Sequence, residues 1–469
     1  MGQAARLFNG SAEETLYSRI TPSKEQREFL QEHWNALAEY LREKLYAKYG
    51  YRISTWLQGS YKYGTLIKPV RLGEEYDVDL GVYFEWPQEQ ATSPEPKQLR
   101  KWVQEELCAY RQKTAEIKRI EEPPKERCSR VVYERHFHID TPVYHLDPDR
   151  DYRRLACWSN RWEESDPKPL YKWFKEVVPG EQGEQLRRIV RYLKAWAAIA
   201  FEGADESRPS SILLTVLVAR EFKKCAFWMF TESADDDMLA EVVGRIYERL
   251  CQNPRVPNPI DESEDLNRIP ETAWHGFLTR LHALHDCAQR ATKADDEATA
   301  ALIWSEQFSY LIPLPEVQAV EVVEEQSNRA LMQLPDIQIE VYSRNPRRRI
   351  ARHRNEVPAV AKGCDLEFSI VNPHVVPEYA TVEWTVRNSE QEAAEVGDLG
   401  HRRGGMRVLR VTEHTSYAGR HFMDCVVRLN GNVYAVRRVP VTIMGVRHPV
   451  RHRPKPAHSK LRSILRRRL

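Results

Sequence analysis

Two carboxylates spaced two residues apart, Asp77 and Asp79 in the run Tyr76-Asp77-Val78-Asp79-Leu80-Gly81-Val82, carry the clearest chemistry in this sequence. Val78 to Phe84 reads as a strand, and residues i and i+2 of a strand face the same way. Both carboxylates therefore share one face. Hard carboxylate oxygens suit magnesium, and two such ions about 3.5–4 Å apart activate an attacking oxygen and stabilise a leaving one. That is the chemistry of phosphoryl transfer, which needs positioning and charge neutralisation more than covalent help. Upstream stands Gly59-Ser60-Tyr61-Lys62-Tyr63-Gly64-Thr65, after a strand-like run from Tyr51 to Gln58 in which Ile53, Thr55 and Leu57 alternate. The Gly59-Ser60 turn offers backbone N–H groups and a hydroxyl to a triphosphate. A lone Asp-x-Asp or a lone Gly-Ser is ordinary. Strand, Gly-Ser turn, loop and Asp-x-Asp strand in that order are specific.

A third carboxylate, Asp140, lies in His138-Ile139-Asp140-Thr141-Pro142-Val143-Tyr144. The alternation from Val131 to Ile139 predicts a third strand with Asp140 at its end. A strand beside the first two aims Asp140 at the same metal and lets it help deprotonate the attacking hydroxyl; the alternative is an aspartate that caps a turn. His136 and His138 share its face if the alternation holds, and read as packing or surface histidines.

The elements that position these residues follow from periodicity. Residues 23–48 predict a long amphipathic helix: Ser23 and Gln26 have capping-box spacing, and Leu30, Trp34, Leu37, Leu41 and Leu45 form one stripe. Residues 98–117 look helical. From about 168 the pattern is helical, with Leu186, Ile189, Val190, Leu193 and Trp196 on one face and further helices over 211–223, 236–251, 272–292 and 295–310. After about 335, strand-like runs at 337–342, 365–371, 380–387, 406–412, 421–429 and 433–444 predict a small all-β domain, with Asn430-Gly431 as a hairpin signal. Residues 445–469 are rich in Arg, Lys and Pro and read as a mobile tail.

Composition narrows the class. The 469 residues carry a net charge of +2, with 42% hydrophobic and 29% charged residues, ordinary values for a globular protein. The eight cysteines have no CxxC spacing, which speaks against a zinc site or a disulfide framework. The N-terminal MGQAARLFNGS lacks an apolar core for a signal peptide, and Arg6 stands where myristoylation wants Ser or Thr. No run reaches the roughly 18 apolar residues that span a bilayer. The expectation is a cytoplasmic protein with no membrane partner.

The motifs GSYKYGT, YDVDLGVYFEW and HIDTPVY resemble those of the bacterial cGAS/DncV-like nucleotidyltransferases, a branch of the polymerase-β superfamily. The resemblance extends through Trp162–Phe174, Arg191–Trp196 and Arg208–Leu217. It implies an α+β fold: a polymerase-β-type nucleotidyltransferase core over 1–160, a helical lobe over 161–330 that completes the nucleotide cleft, a C-terminal all-β, sandwich-like domain over 335–446 and a basic tail over 447–469. It implies an enzyme that makes a cyclic di- or oligonucleotide second messenger from nucleoside triphosphates, ATP or GTP, in antiphage signalling, with a downstream nucleotide-sensing effector as partner. It implies two Mg²⁺ ions, or Mn²⁺ in their place, on Asp77, Asp79 and Asp140, and nucleotide contacts from Gly59, Ser60, Lys194, Ser210 and Ser211.

Residue by residue, alternatives stand beside these roles. Arg187, Arg191 and Lys194 fall at i, i+4 and i+7, a basic stripe that equally suits a solvated helix face. Ser210 and Ser211 suit a helix N-cap as well as a phosphate. Trp162 and Tyr171 stack a base or pack in the core. The segments Val382–Asn388 and His414–His421 resemble the AGS-C-type sensor domain of some of these synthases, and equally suit a structural or dimerisation module. The tail from Arg447 holds nine Lys/Arg residues; it binds nucleic acid, solubilises the chain or serves as a partner handle. Two other readings remain: a linear oligonucleotide synthase or a transferase of NMP onto a protein, and a catalytically inactive nucleic-acid-binding protein.

Overall fold

The computed structural model describes residues 2–447 apart from 13, 72, 88–92, 135, 179, 229–232, 315–333, 390 and 431. The basic tail lies outside the described residues after Arg447. The chain forms two compact units, Met1–Val317 with Ala394–His401, and Gln318–Ala393 with Arg402–Leu469.

The first unit opens with helices α1 (Ala5–Asn9), α2 (Leu16–Ile20) and α3 (Lys24–Tyr49). Ser23 caps α3: its hydroxyl accepts from Gln26 N at 3.1 Å while Gln26 Oε1 accepts from Ser23 N at 2.9 Å, the reciprocal box that the spacing predicts. Gly50, with φ of 76°, ends it. Leu30, Leu37, Leu41 and Leu45 are buried in the core cluster over the sheet, each worth about 1.5–3 kcal/mol.

There follow β1 (Arg52–Gln58), α4 (Gly59–Tyr63), β2 (Tyr76–Glu85), α5 (Pro96–Arg111), β3 (Ile117–Ile120), β4 (Cys128–Tyr133), β5 (Phe137–Asp147), β6 (Tyr152–Ala156) and β7 (Trp162–Glu164). They build one sheet in the order β1-β2-β5-β4-β3, with β6 pairing β5 and β7 pairing β6. β2 and β5 run parallel; β1 is antiparallel to β2 and β4 to β5. Val78, Leu80, Val82 and Phe84 enter the core, so the alternate residues of β2, Asp77 and Asp79, take the other face.

One expectation changes. Val131 to Ile139 is not a single strand. The alternation runs through a hairpin: β4 ends at Tyr133, His136 has φ of 54° and β5 begins at Phe137. A tight turn between two alternating strands leaves the pattern unbroken, which hides it in the sequence. Asp140 therefore sits inside β5, opposite Arg130, rather than at a strand end. The expected helix over 98–117 also stops earlier, at Arg111, and Ile117 starts β3.

The helices α6 (Pro167–Glu176), α7 (Gly180–Ala200), α8 (Ser211–Trp228), α9 (Asp235–Gln252), α10 (Glu271–Thr292) and α11 (Glu297–Phe308) complete the unit. Leu186, Ile189, Val190, Leu193 and Trp196 of α7 are all buried, against α8, α9 and α11.

The second unit packs two sheets. One has the order β14-β11-β8-β9, from β8 (Ile337–Arg344), β9 (Arg347–Arg354), β11 (Cys364–Ile370) and β14 (Arg410–His414). The other has β10-β16-β15-β12-β13, from β10 (Val357–Lys362), β12 (Thr381–Arg387), β13 (Gly400–Met406), β15 (Gly419–Leu429) and β16 (Asn432–Arg447); α12 spans Gln391–Glu395. Ile339, Val341, Leu366 and Phe368 meet Val382, Trp384, Cys425 and Val439 in its core. Leu429 pairs with Asn432 across the expected hairpin, where Asn430 has φ of 52°. The run 406–412 is not one strand: Arg407 has φ of 47°, and β13 and β14 belong to different sheets. β9, Arg-Arg-Arg-Ile-Ala-Arg-His-Arg, gave no strand signal because its side chains are mostly exposed and basic; backbone pairing to β8 makes it a strand.

Candidate active site

The turn after β1 is built on Gly59. Its φ is +58°, and a Cβ there would lie 1.9 Å from Asp79 Oδ2. Glycine is thus required twice, for a left-handed backbone and for the close approach to a carboxylate. Gln58, just before it, pairs with Asp79 across the strands.

On the other side of β2, Asp79 pairs with Asp140 and Asp77 with His138 of β5. Asp77, Asp79, His138, Asp140 and Arg130 consequently share one face of the sheet. Arg130 donates to both oxygens of Asp140, at 2.6 and 2.7 Å, and Lys125 Nζ is 3.8 Å away. His138 sits between two carboxylates, with Nε2 2.9 Å from Asp77 Oδ1 and Nδ1 2.9 Å from Glu75 Oε2. The imidazole is buried while Asp77 is about half exposed.

The charges on this face are unbalanced at one point. Among the described residues no cation pairs with Asp79. Burial, and then the charges of Asp77 and Asp140, push its carboxyl up to about 7. Burial acts in the same upward sense on Asp77. There the hydrogen bond from His138 and the charges of His138, Arg130 and Lys125 win, and hold the carboxyl below its ordinary value. Burial lowers His138, but the hydrogen bond and charge of Asp77 outweigh it and raise the imidazole.

Ligand atoms of Asp77, His138 and Asp140 all lie within 4.8 Å of one another. Asp79 is not part of that group but stands beside it on the same face, and three carboxylates so placed fit a divalent cation, their oxygens magnesium. His138 belongs to this group through its hydrogen bond to Asp77, with its other nitrogen held by Glu75.

Beside Asp77 opens a cavity of about 270 Å³, lined by Ser60, Thr65, Lys68, Glu75, Asp77, Lys194, Arg208 and Ser211 among others. The expected nucleotide contacts Ser60, Lys194 and Ser211 are therefore brought together. Ser210 is not among the lining residues; its hydroxyl accepts from Leu213 N at 3.3 Å and starts α8.

The basic stripe is not a solvated face. Arg191 and Lys194 are buried, and all three side chains lace α7 to the segment 63–66. Arg187 donates to Tyr63 O at 3.3 Å, Arg191 to Leu66 O at 3.2 Å, and Lys194 to Thr65 O and Oγ1 at 3.2 and 3.0 Å. Burial, and then the charge of Arg191, push the Lys194 ammonium down to about 7.

Trp162 faces Arg154, whose guanidinium lies 4.7 Å from its ring, and His145. Tyr171 packs edge-on to Trp56 and Tyr63, with Lys62 Nζ 5.3 Å from its ring. The sequence reading missed His138, Glu75 and Arg130. Their signal is the same alternation that puts His138 two residues before Asp140, and a hairpin register that places Arg130 opposite it.

Comparison with known proteins follows this geometry. Residues 53–144 match the family described as cyclic GMP-AMP synthase DncV-like, nucleotidyltransferase domain, and residues 319–444 match the adenylyl/guanylyl and SMODS C-terminal sensor domain. The chain is 27% identical over 416 residues to a cyclic GMP-AMP synthase of Escherichia albertii, covering 88% of this chain and 89% of that protein. It is 24% identical over 340 residues to a c-di-GMP synthase of Roseivirga ehrenbergii, covering 66% and 82%. Escherichia coli DncV in its 3′-deoxy GTP bound form superposes with a TM-score of 0.55 at 20% identity, covering 66% of this chain and 97% of that one. Vibrio cholerae DncV in complex with the linear intermediate 5′ pppA(3′,5′)pG gives 0.53 at 19%, covering 66% and 96%. At these identities the two structures establish the fold.

Proposed function

We propose that this chain, a DncV-like nucleotidyltransferase, joins nucleoside triphosphates, ATP and/or GTP, into a cyclic di- or oligonucleotide second messenger. The observation that carries this reading is the convergence of Asp77, Asp79 and Asp140 beside a cavity lined by Ser60, Lys194 and Ser211.

Asp77, Asp79 and Asp140 are the residues that would hold two magnesium ions, with manganese as a substitute. Bound there, the ions supply positive charge to the reacting phosphoryl group and acidity to the attacking hydroxyl. Ser60 and the backbone N–H groups of the Gly59-Ser60 turn bind phosphate oxygens. Lys194 is poised between its two protonation states, so an incoming triphosphate favours its ammonium form and draws a charge-assisted hydrogen bond from it. Arg191 and Arg187 hold the loop that carries Thr65 and keep the cavity wall in place. Arg130 fixes Asp140, whose carboxylate orients the attacking ribose hydroxyl and accepts its proton. A cyclic product needs two such transfers in one pocket, the second by the free hydroxyl of the intermediate on its own triphosphate. α7 and α8 wall that pocket.

We place the reaction in the cytoplasm and in antiphage signalling, with a nucleotide-sensing effector downstream; this context rests on the family. Among the described residues no helix is long and apolar enough to cross a membrane.

The test is to incubate the protein with Mg²⁺ and all four ribonucleotides, treat the products with phosphatase and identify them by mass spectrometry. A magnesium-dependent product that keeps its mass after phosphatase supports the cyclic reading. A phosphatase-sensitive oligomer favours a linear synthase, and nucleotide on the protein itself favours transfer onto protein. No turnover together with a nucleic-acid gel shift favours the inactive binding protein.

A further inference from the structure

A second cavity of the first unit, about 430 Å³, shares none of its lining residues with the one beside Asp77. Its size falls within the roughly 300–1,000 Å³ of small-molecule pockets. α8 contributes Arg220, Glu221, Lys223 and Lys224, α9 contributes Arg249, and α6 contributes Trp173. Four cations thus face one carboxylate, and that carboxylate is already taken: Lys224 Nζ lies 2.8 Å from both oxygens of Glu221.

The two arginines are left over. Arg249 donates through Nη2 to Arg255 O at 2.8 Å, but its Nη1 is buried without a hydrogen-bond partner. Arg220 is half-buried, and among the described residues it makes no hydrogen bond or ion pair. Burial, and then the charge of Arg249, lower Arg220 below its ordinary value. A lysine in this position escapes by losing its proton; a guanidinium does not. Two part-buried guanidinium groups that repel one another are costly unless an anion joins them. Trp173 is half-buried on the cavity wall, and among the described residues no other ring stacks on it.

We propose that this cavity is a second ligand site, separate from the catalytic one, that takes a small phosphorylated ligand with a planar ring. The phosphate bridges Arg220 and Arg249, whose forked donors match its oxygens, and the ring lies on Trp173. A ligand that joins α6, α8 and α9 acts on the lobe that walls the nucleotide cavity, so the site is placed to regulate turnover rather than to perform it.

The experiment titrates the full chain in EDTA with GMP and, separately, with inorganic pyrophosphate, by calorimetry. Both probes are expected to bind a site that Arg220→Gln/Arg249→Gln weakens about 10–100-fold and that Ser60→Ala leaves intact. Trp173→Leu weakens GMP but not pyrophosphate. Arg249→Gln alone is the second variant should the double one fail to fold, and thermal unfolding reports on that. Basal turnover of either variant stays at the wild-type level. Equal binding by the wild type and the arginine variants, or no binding of either probe at millimolar concentration, overturns the site. Loss of GMP binding in Ser60→Ala assigns the signal to the catalytic cavity and overturns it too. These readouts need no turnover, so they fail or succeed independently of the cyclic-nucleotide reading.

Discussion

Each unit of this protein carries an aspartate on a strand flanked on both sides, and the two are treated in opposite ways. In the second unit, Asp424 of β15 is fully buried, with Arg387 of β12 paired to it and Arg438 of β16 directly opposite, 3.6 Å away. In the first, Asp79 of β2 has Gln58 on one side and Asp140 on the other. Like charges opposite one another destabilise a sheet, and a carboxylate without a cation is driven toward protonation. The paired aspartate is a structural solution. The unpaired one is a site kept short of one positive charge, and what it lacks is what a divalent ion brings.

The largest effects should come from removing each charge. Asp79→Asn is expected to cut turnover by about 10³-fold or more, since a preorganised charge at the reacting centre is lost, while the thermal midpoint without metal rises. Asp424→Asn should do the reverse to its own unit. It removes the carboxylate that faces Arg387 in the core, at a cost of about 3–5 kcal/mol, read by denaturant unfolding. An Asp79→Asn protein that turns over normally, or an Asp424→Asn protein of unchanged stability, breaks the comparison.

A second test separates the pair from the cluster. Replacing both partners, Arg387→Met with Asp424→Leu, should recover most of the stability lost in Asp424→Asn, because a buried pair is often replaceable by packed apolar groups. Asp77→Asn with Asp79→Asn should recover no turnover. Recovery of activity in that double variant would mean that the carboxylates serve structure.

A smaller effect is expected at His138. It fixes Asp77 through one nitrogen and is held by Glu75 through the other. Such outer partners of a ligand are worth about 10–100-fold in metal affinity. His138→Asn should therefore raise the Mn²⁺ concentration for half-saturation, measured by electron paramagnetic resonance with the triphosphate present, and turnover at saturating metal should largely return. A variant whose metal affinity is unchanged would make His138 a packing residue, which is how its sequence reads.

His138 marks where sequence reasoning stopped. Gly59, Ser60, Asp77 and Asp79 were legible because their chemistry is local: one turn, one strand and a two-residue spacing. The capping box at Ser23, the apolar stripe of α7 and the hairpin at Asn430 were legible for the same reason. What failed is non-local. The break between β4 and β5 lies inside an unbroken alternation, so Asp140 looked like a strand end. β9 is a strand only because β8 pairs with it. Helical spacing left Lys194 between a triphosphate contact and a solvated face, and its burial depends on Thr65, 129 residues away in sequence.

The smallest effect is in the pH dependence, and it belongs to Asp79. Asp79 ionises near its ordinary 3.8 in the unfolded chain and at about 7 in the folded, metal-free protein. Between those values the folded state holds a proton that the unfolded state has released. Linkage then requires stability to fall as pH rises from about 4 to about 7, and to level off above. Asp79→Asn has no proton to hold there, so its advantage over the wild type should be absent near pH 4, grow through that window and stay constant above about 7. Saturating Mg²⁺ supplies the missing charge to the ionised form, so it should flatten the wild-type slope and release protons on binding at pH 6–7. The measurement is thermal unfolding of wild type and Asp79→Asn from pH 4 to 8, with and without Mg²⁺. A wild-type protein whose metal-free stability rises steadily across pH 4–7 relative to Asp79→Asn would show that Asp79 is already paired, and would remove the contrast between the two sites.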